Sequence, residues 1–459
     1  MNDKSLNLGK GPILPLLLKM SGPSIAAMLA MAVYNLIDAF WLARLNPDAI
    51  AALTICFPLQ LIFGAVGVGT GLGSGSYASR MFGAGETAKA RKTGGQAYFL
   101  AVVLGTLIIG VILADPESVL RIFGATTGIA PLARQYLVTV MPGVPFLFLI
   151  MITNNLLRAE GRPHLSMYPL LVVALISGIL DPLLIFGWGP FPRLGIRGAA
   201  AAAVISQIAG AMLSFYYLQH GSSRYKLSWS DLRPDFRIIL SIYQTGLPSI
   251  IINLVVSLCM LLHNHILAGY GNTAVATLGI VFRMNGLVMM TLYGIGHGLM
   301  PLVGFSEGAG LHSRLMTTVK VAVRISAGIA LASLLLVEAF APSIASFFSG
   351  DHELQALTTT ALRINFLLLI TAAPSLMWIN MFIGLGRGTT AMVLLVGRDT
   401  LVLIPLLLLL PSVFGINGVW MAQPLACALA FLFILYWTKR QYRIFESRIV
   451  QPMTRTETC

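Results

Sequence analysis

Long apolar runs follow one another along almost the whole chain, and nothing constrains its fold more. An α-helix needs about 20 mostly apolar residues to cross the hydrocarbon core of a bilayer. The 459 residues hold twelve such runs, at about 14 to 42, 50 to 78, 94 to 114, 131 to 157, 166 to 188, 197 to 219, 238 to 269, 274 to 304, 318 to 341, 356 to 384, 389 to 411 and 416 to 438. In lipid every backbone N–H and C=O must be satisfied within the protein, and the period-2 pattern of barrel strands is absent, so the runs read as helices. Composition agrees. The chain is 57% hydrophobic and only 10% charged, against about 25% charged in an ordinary soluble domain. The net charge of +13 would suggest nucleic acid in a soluble protein, but these cations sit in short loops between apolar runs, and no nucleic-acid partner is expected.

Lys4, Lys10 and Lys19, followed by Ala30-Met31-Ala32, superficially resemble a signal peptide. The apolar run continues well past that point and is interrupted by Pro23, so it reads as an uncleaved first span. Cys56, Cys259 and Cys427 lie in apolar runs without C-x-x-C spacing and read as buried reduced thiols.

With the N-terminus inside, 21 of the 30 Lys and Arg fall in inside segments and five in outside ones. That bias predicts a multi-pass membrane protein with both termini cytoplasmic, and the membrane expected is the plasma (inner) membrane of a prokaryote. The one long polar connection, Gln219 to Arg237, falls near the middle of the chain. It divides the chain into an N-terminal six-helix lobe (1–219), a flexible cytoplasmic linker (220–237), a C-terminal six-helix lobe (238–438) and a cytoplasmic tail (439–459).

A shift of 225 residues tests for an internal repeat. It superposes Pro23-Ser24-Ile25 on Pro248-Ser249-Ile250, and Gly69, Gly71 and Gly73 on Gly294, Gly296 and Gly298. Gly83-Ala84-Gly85 meets Gly308-Ala309-Gly310, and Asn155, Gly161 and Arg162 meet Asn380, Gly386 and Arg387. A shift of 220 then pairs Gly195 and Gly198 with Gly415 and Gly418. The fold predicted is an all-α polytopic membrane protein of twelve transmembrane helices, arranged as two parallel six-helix repeats about a pseudo-twofold along the membrane normal.

Two such bundles can rock about a central cavity, the usual construction of alternating access. No filter-like ring suggests a channel, and no G-x-x-x-x-G-K-[ST] loop supplies an ATPase. An ion gradient is left as the driving force. The residues that stand out are two carboxylates within the first half. Asp38 lies deep in the first span and Asp181 in the fifth, ahead of Pro182. Charges at that depth cost roughly 3 kcal/mol on insertion scales and default to a functional role. The pair could carry a proton, or hold Na⁺ with neighbouring oxygens; the alternative is a helix cap or a pair with Arg44. Tyr34 and Asn35, four and three residues before Asp38, can share its helix face.

At the 225 shift Asp38 meets His263, and the second half shows no carboxylate at that depth. His263, His265 and His297 read mainly as hydrogen-bonded packing residues, and His263-x-His265 is wrongly spaced for a metal on one helix face. Arg283, Arg324, Arg363 and Arg398 read as snorkelling near span ends, with Arg398-Asp399 in a polar bend. No strand precedes the run from Gly64 to Gly85, so close helix packing explains its glycines better than a nucleotide. Phe40, Trp41, Phe146 and Phe148 either line an adaptable pocket for hydrophobic cations or simply pack.

Several of these pieces together resemble the multidrug and toxic compound extrusion (MATE) family. They are the six-plus-six spans, Pro23 fifteen residues before Asp38, Leu180-Asp181-Pro182 running on to Gly187, Asn154-x3-Arg158-Ala159-x-Gly161, and Gly-Ile-x-Gly opening spans six and twelve. The resemblance implies a V-shaped antiporter that exports amphipathic or cationic organic compounds in exchange for inward H⁺ or Na⁺, working as a monomer in membrane lipid without a cofactor. It is most similar to the DinF-like branch, where Asp38 and Asp181 match the coupling aspartates of the N-terminal lobe, with Tyr34 and Asn154 nearby and a helix bend at Pro23. The branch that relies on acids in spans seven and ten has no counterpart, since His263 and Asn365 stand there. Ser177 replaces an expected asparagine and Ala203 an expected threonine, which leaves fewer oxygens for Na⁺ and favours H⁺. The competing expectation is a flippase for lipids or lipid-linked saccharides, which would carry cations in its cavity.

Overall fold

A computed structural model describes residues 5–45, 47–123, 128–220, 223–348 and 350–456, and every regular element among them is a helix. Eleven helical segments are long and apolar enough to cross a membrane, and a bent pair, His352–Phe366 with Leu369–Gly384 at 45°, makes the twelfth. The predicted span 356 to 384 is therefore real but broken at Leu367 and Leu368.

The chain forms two compact units, Met1–Asn7 with Gly22–Ile250, and Leu8–Ser21 with Ile251–Cys459. The first contains most of α1 (Ile13–Leu45), then α2 (Pro47–Gly83), α3 (Thr87–Ala114), α4 (Pro116–Ile122), α5 (Ala130–Val140), α6 (Val144–Ala159), α7 (Pro163–Phe186), α8 (Ile196–Gln219) and the start of α9 (Phe236–Ala268). The second contains the rest of α9, α10 (Asn272–Gly308), α11 (His312–Phe348), α12 (His352–Phe366), α13 (Leu369–Gly384), α14 (Gly388–Gly397), α15 (Ile404–Phe414) and α16 (Ile416–Thr456). The chain changes unit inside α1 and inside α9, beside Pro23 and Pro248 respectively, and both helices run unbroken through their prolines.

Glycines explain how α2 can be a shared wall. A Cβ at Gly71 would come within 2.7 Å of the Asn155 amide on α6, and one at Gly75 within 3.0 Å of Asn155 Cβ. On another face, a Cβ at Gly73 would lie 2.2 Å from the carbonyl oxygen of Ile242 on α9. Backbones this close tolerate no side chain, as at small-residue crossings in membranes. The second unit repeats the device at the 225 shift. Gly296 faces Asn380 as Gly71 faces Asn155, and Gly298 abuts Ser21 as Gly73 abuts Gly246. Left-handed backbone recurs at the same separation, with φ of 79° at Gly85 and 68° at Gly310, and 83° at Gly161 and 76° at Gly386.

The connection between the halves is a fastened strap. The Gln96 side chain on α3 donates to the Asp231 and Arg233 carbonyls, both at 2.7 Å, and accepts from the Asp235 N–H at 2.8 Å. Arg91 pairs with Asp231 and Lys92 with Asp235. A capping box between Ser228 and Asp231 closes a 3-10 turn, Trp229–Leu232. The Tyr225 hydroxyl donates to the Leu156 carbonyl, and Ser223 and the Arg224 N–H hold buried Glu160. The expectation of a flexible linker is corrected here, because its polar groups are spent on the ends of α3 and α6.

The tail also differs from expectation. α16 continues as helix through Thr456, and at 1.5 Å per residue its 41 residues reach about 60 Å, twice the hydrocarbon thickness. Its outer part is docked: the Phe445 ring is fully buried and stacks on His312, Arg448 pairs with Glu307, and Arg387 donates to Gln441.

Candidate functional site

Asp38 on α1 and Asp181 on α7 lie seven and five residues before the ends of their helices, and the first unit brings the two within electrostatic range of each other. Asp181 is wholly buried, and neither of its oxygens has a hydrogen-bond partner among the described residues. Asp38 is half-buried. Tyr34 stands within range of both carboxylates and turns toward Ser177, whose fully buried hydroxyl falls short of proper hydrogen-bond geometry with any group. α7 can place Ser177 and Asp181 together because four residues make about one turn.

The fifth span also bears prolines at 169 and 182. Proline cannot donate to the preceding turn, so α7 carries a weakened ladder beside its aspartate.

Two further groups join the site, from α2 and α5, neither of which the sequence alone places there. The Tyr136 hydroxyl on α5 accepts from Gln60 on α2 at 2.9 Å, and Tyr136 lies within range of Asp38 and Tyr34. Gln60 was visible as an amide in the middle of the second apolar run; Tyr136, near the outer end of its span, resembled an ordinary interfacial aromatic. Arg44 does not reach Asp38 as an ion pair among the described residues. Its guanidinium lies over the Phe40 ring at 4.4 Å, and Trp41 packs edge-on against Phe186 and Trp188.

The other expected residues lie elsewhere. Asn154 donates to the Ser166 carbonyl at 2.8 Å and ties α6 to α7 near the basic end of the hairpin. Ser166 is fifteen residues from Asp181 on one helix, about 22 Å at helical rise. Arg158 curls back on the Asn154 carbonyl and the Asn155 side chain, which explains that motif as a brace. The Asn35 side chain lies outside the described residues. Phe148 is buried against Gly67, and Phe146 faces an apolar groove.

The second unit does hold an intramembrane carboxylate, contrary to expectation. Asp399 is 2% exposed and pairs with Arg398 at 2.7 Å inside a π-helical turn, Arg398–Leu403, that joins α14 to α15 within one span. Arg398 therefore does not snorkel; its partner makes burial tolerable. His263 hydrogen-bonds the Cys259 carbonyl, packs edge-on to Phe282 and lies within electrostatic range of Asp399. Among the described residues no three His, Cys, Asp or Glu converge as metal ligands would.

The chain is 26% identical over 458 residues to the multidrug export protein MepA of Staphylococcus aureus (strain MSSA476), covering 98% of this chain and 100% of that protein. A solved multidrug resistance MATE family transporter of the MOP superfamily, outward-facing, superposes with a TM-score of 0.91 at 24% identity over 97% of this chain and 99% of its own. A MOP superfamily transporter from Pyrococcus furiosus, described as having a binding pocket of reversed polarity that suggests a different function, gives 0.89 at 24% identity over 96% and 99%. The MatE family profile matches twice, at residues 23–183 and 248–409, and the two matches begin at the very prolines that the internal repeat pairs. The chain belongs to the MatE family.

Proposed function

We propose that this transporter is a secondary antiporter that exports amphipathic or cationic organic compounds in exchange for H⁺, with Asp38 and Asp181 as the coupling groups. The chain is not an enzyme; its relatives are named for export. The observation that carries the reading is Asp181, buried with both oxygens unpartnered beside Asp38, Tyr34 and Ser177. An unpaired carboxylate in hydrocarbon is stable only with a proton or a cation on it. With Ala203 and Ser177 in place of larger oxygen donors, the site offers few of the six or more oxygens typical of a hard cation, and a proton suffices.

A proton arriving from the outer side neutralises the pair, and its departure restores the charge that attracts the next organic cation. The two halves of the repeat, 1–219 and 238–438, would each supply six spans to an alternating-access transporter that works as a single chain. Both termini face the cytoplasm in this reading, which the excess of Lys and Arg in the inside segments supports.

The test is dye efflux from proteoliposomes under an imposed pH or Na⁺ gradient. Ethidium export is expected to follow the pH gradient and to uncouple from it in Asp38→Asn and Asp181→Asn. Export indifferent to both gradients, or unchanged in both variants, overturns the proposal. Accelerated flipping of fluorescent lipid in its place transfers the reading to a flippase.

A further inference from the structure

The strap of the first unit directs its charges in opposite directions. Its two carboxylates, Asp231 and Asp235, are tied inward to Arg91 and Lys92. Lys226, Arg233 and Arg237 are exposed and make no ion pair among the described residues. The same surface carries Trp229 at 89% and Phe236 at 80% exposure. Bulky rings on a basic rim are characteristic of the headgroup layer, where aromatic side chains settle and cations meet anionic lipid.

An apolar groove of about 470 Å³ lies on the face shared by α3, α6 and α8 and is lined in part by the strap. Leu232 of the strap forms one end of its lining, directly before Arg233, and Tyr98, Val102, Phe146, Met212 and Phe215 continue it along the helices. The Tyr98 hydroxyl is turned away to Thr153 at 2.5 Å, which leaves the ring's apolar side to the groove. A groove for a chain, lined in part by a strap that carries three unpaired cations and two exposed rings, matches one class of molecule.

We infer that this groove and strap form a binding site for an anionic phospholipid of the basic-side leaflet, its acyl chain in the groove and its phosphate headgroup against Arg233, Arg237 and Lys226. The lipid would hold the strap against α3 in addition to Gln96, so that leaflet composition bears on the junction between the halves of the chain. This inference does not depend on which ion drives transport.

Native mass spectrometry of the full-length protein, titrated with dioleoyl-phosphatidylglycerol or dioleoyl-phosphatidylcholine, tests it. The wild type is expected to bind the anionic lipid at least tenfold more tightly. The triple variant Lys226→Gln, Arg233→Gln, Arg237→Gln is expected to lose that preference, at roughly fivefold per cation, whereas Lys439→Gln with Arg443→Gln on α16 keeps it. Met212→Trp, which fills the groove, weakens dioleoyl-phosphatidylglycerol but not its dihexanoyl analogue. No preference in the wild type, a preference retained in the triple variant, or full displacement of the lipid by free glycerol phosphate each overturns the assignment. Unchanged thermal stability in phosphatidylcholine confirms that the variants fold.

Discussion

Two buried acids, one in each unit, show how the same residue type answers to its neighbours. Asp181 has no hydrogen-bond partner among the described residues, so replacing its carboxyl group removes a cost. Asp181→Leu is expected to stabilise the protein by about 1–3 kcal/mol against denaturation in detergent while abolishing coupled export. Asp399 has Arg398 at 2.7 Å, and removing it strands a buried guanidinium. Asp399→Asn is expected to cost about 3–5 kcal/mol, and the double variant Arg398→Met, Asp399→Leu to recover most of it. Equal effects of Asp181→Leu and Asp399→Asn on stability contradict this account. Asp181 stood out in the sequence as a charge among apolar residues, whereas Asp399 read only as part of a polar bend with Arg398; the buried ion pair was not legible because adjacency says nothing about which way either side chain turns.

Among the elements, α2 is the one whose sequence spoke most plainly. Its glycines predicted close packing, and they face two helices at once, Gly71 and Gly75 toward α6 and Gly69 and Gly73 toward α9. Gly73→Ala, which would meet a carbonyl oxygen at 2.2 Å, is expected to abolish folded expression. Gly110→Ala on α3, with nothing within 4 Å, is expected to be neutral or to stabilise by about 1 kcal/mol through helix propensity. Fluorescence-detected size exclusion of the two variants separates these outcomes. The strap was harder to read. Its Ser228-x-x-Asp231 capping box is a local signal, but Gln96, which satisfies three of its backbone groups, lies more than 130 residues earlier in an apolar run.

For the molecule as a whole, acidity reaches the junction through the strap. Lys92 and the Ile238 and Arg237 N–H groups hold Asp235 below the usual carboxylate range, against some burial. For Asp231 the largest single influence is burial, which acts upward, but the Ser228 N–H and hydroxyl and the Arg91 guanidinium outweigh it and the net shift is down. A carboxylate lowered by folding stabilises the fold above its unfolded pKa of about 3.9, and that stabilisation disappears as pH falls through the lower folded value. A spin label at Ser230→Cys is expected to stay immobile from pH 8 to about 5 and to loosen below about 4. Loosening at higher pH, or none in acid, contradicts the assignment. Asp231→Asn with Asp235→Asn is expected to loosen the strap at every pH.

The chain's own sequence determined that it is a helical membrane protein, where the middles of its spans lie, and that its halves repeat. Hydrocarbon leaves a backbone no alternative to helix, and glycines required by close packing and by left-handed turns recur at one separation. Only the tertiary structure decided which acids lie alone and which are paired, that Tyr136 and Gln60 join the site, that Asn154 braces a hairpin, and that the central connection is clamped. Those outcomes depend on contacts between side chains distant in sequence, and neither composition nor periodicity records such contacts.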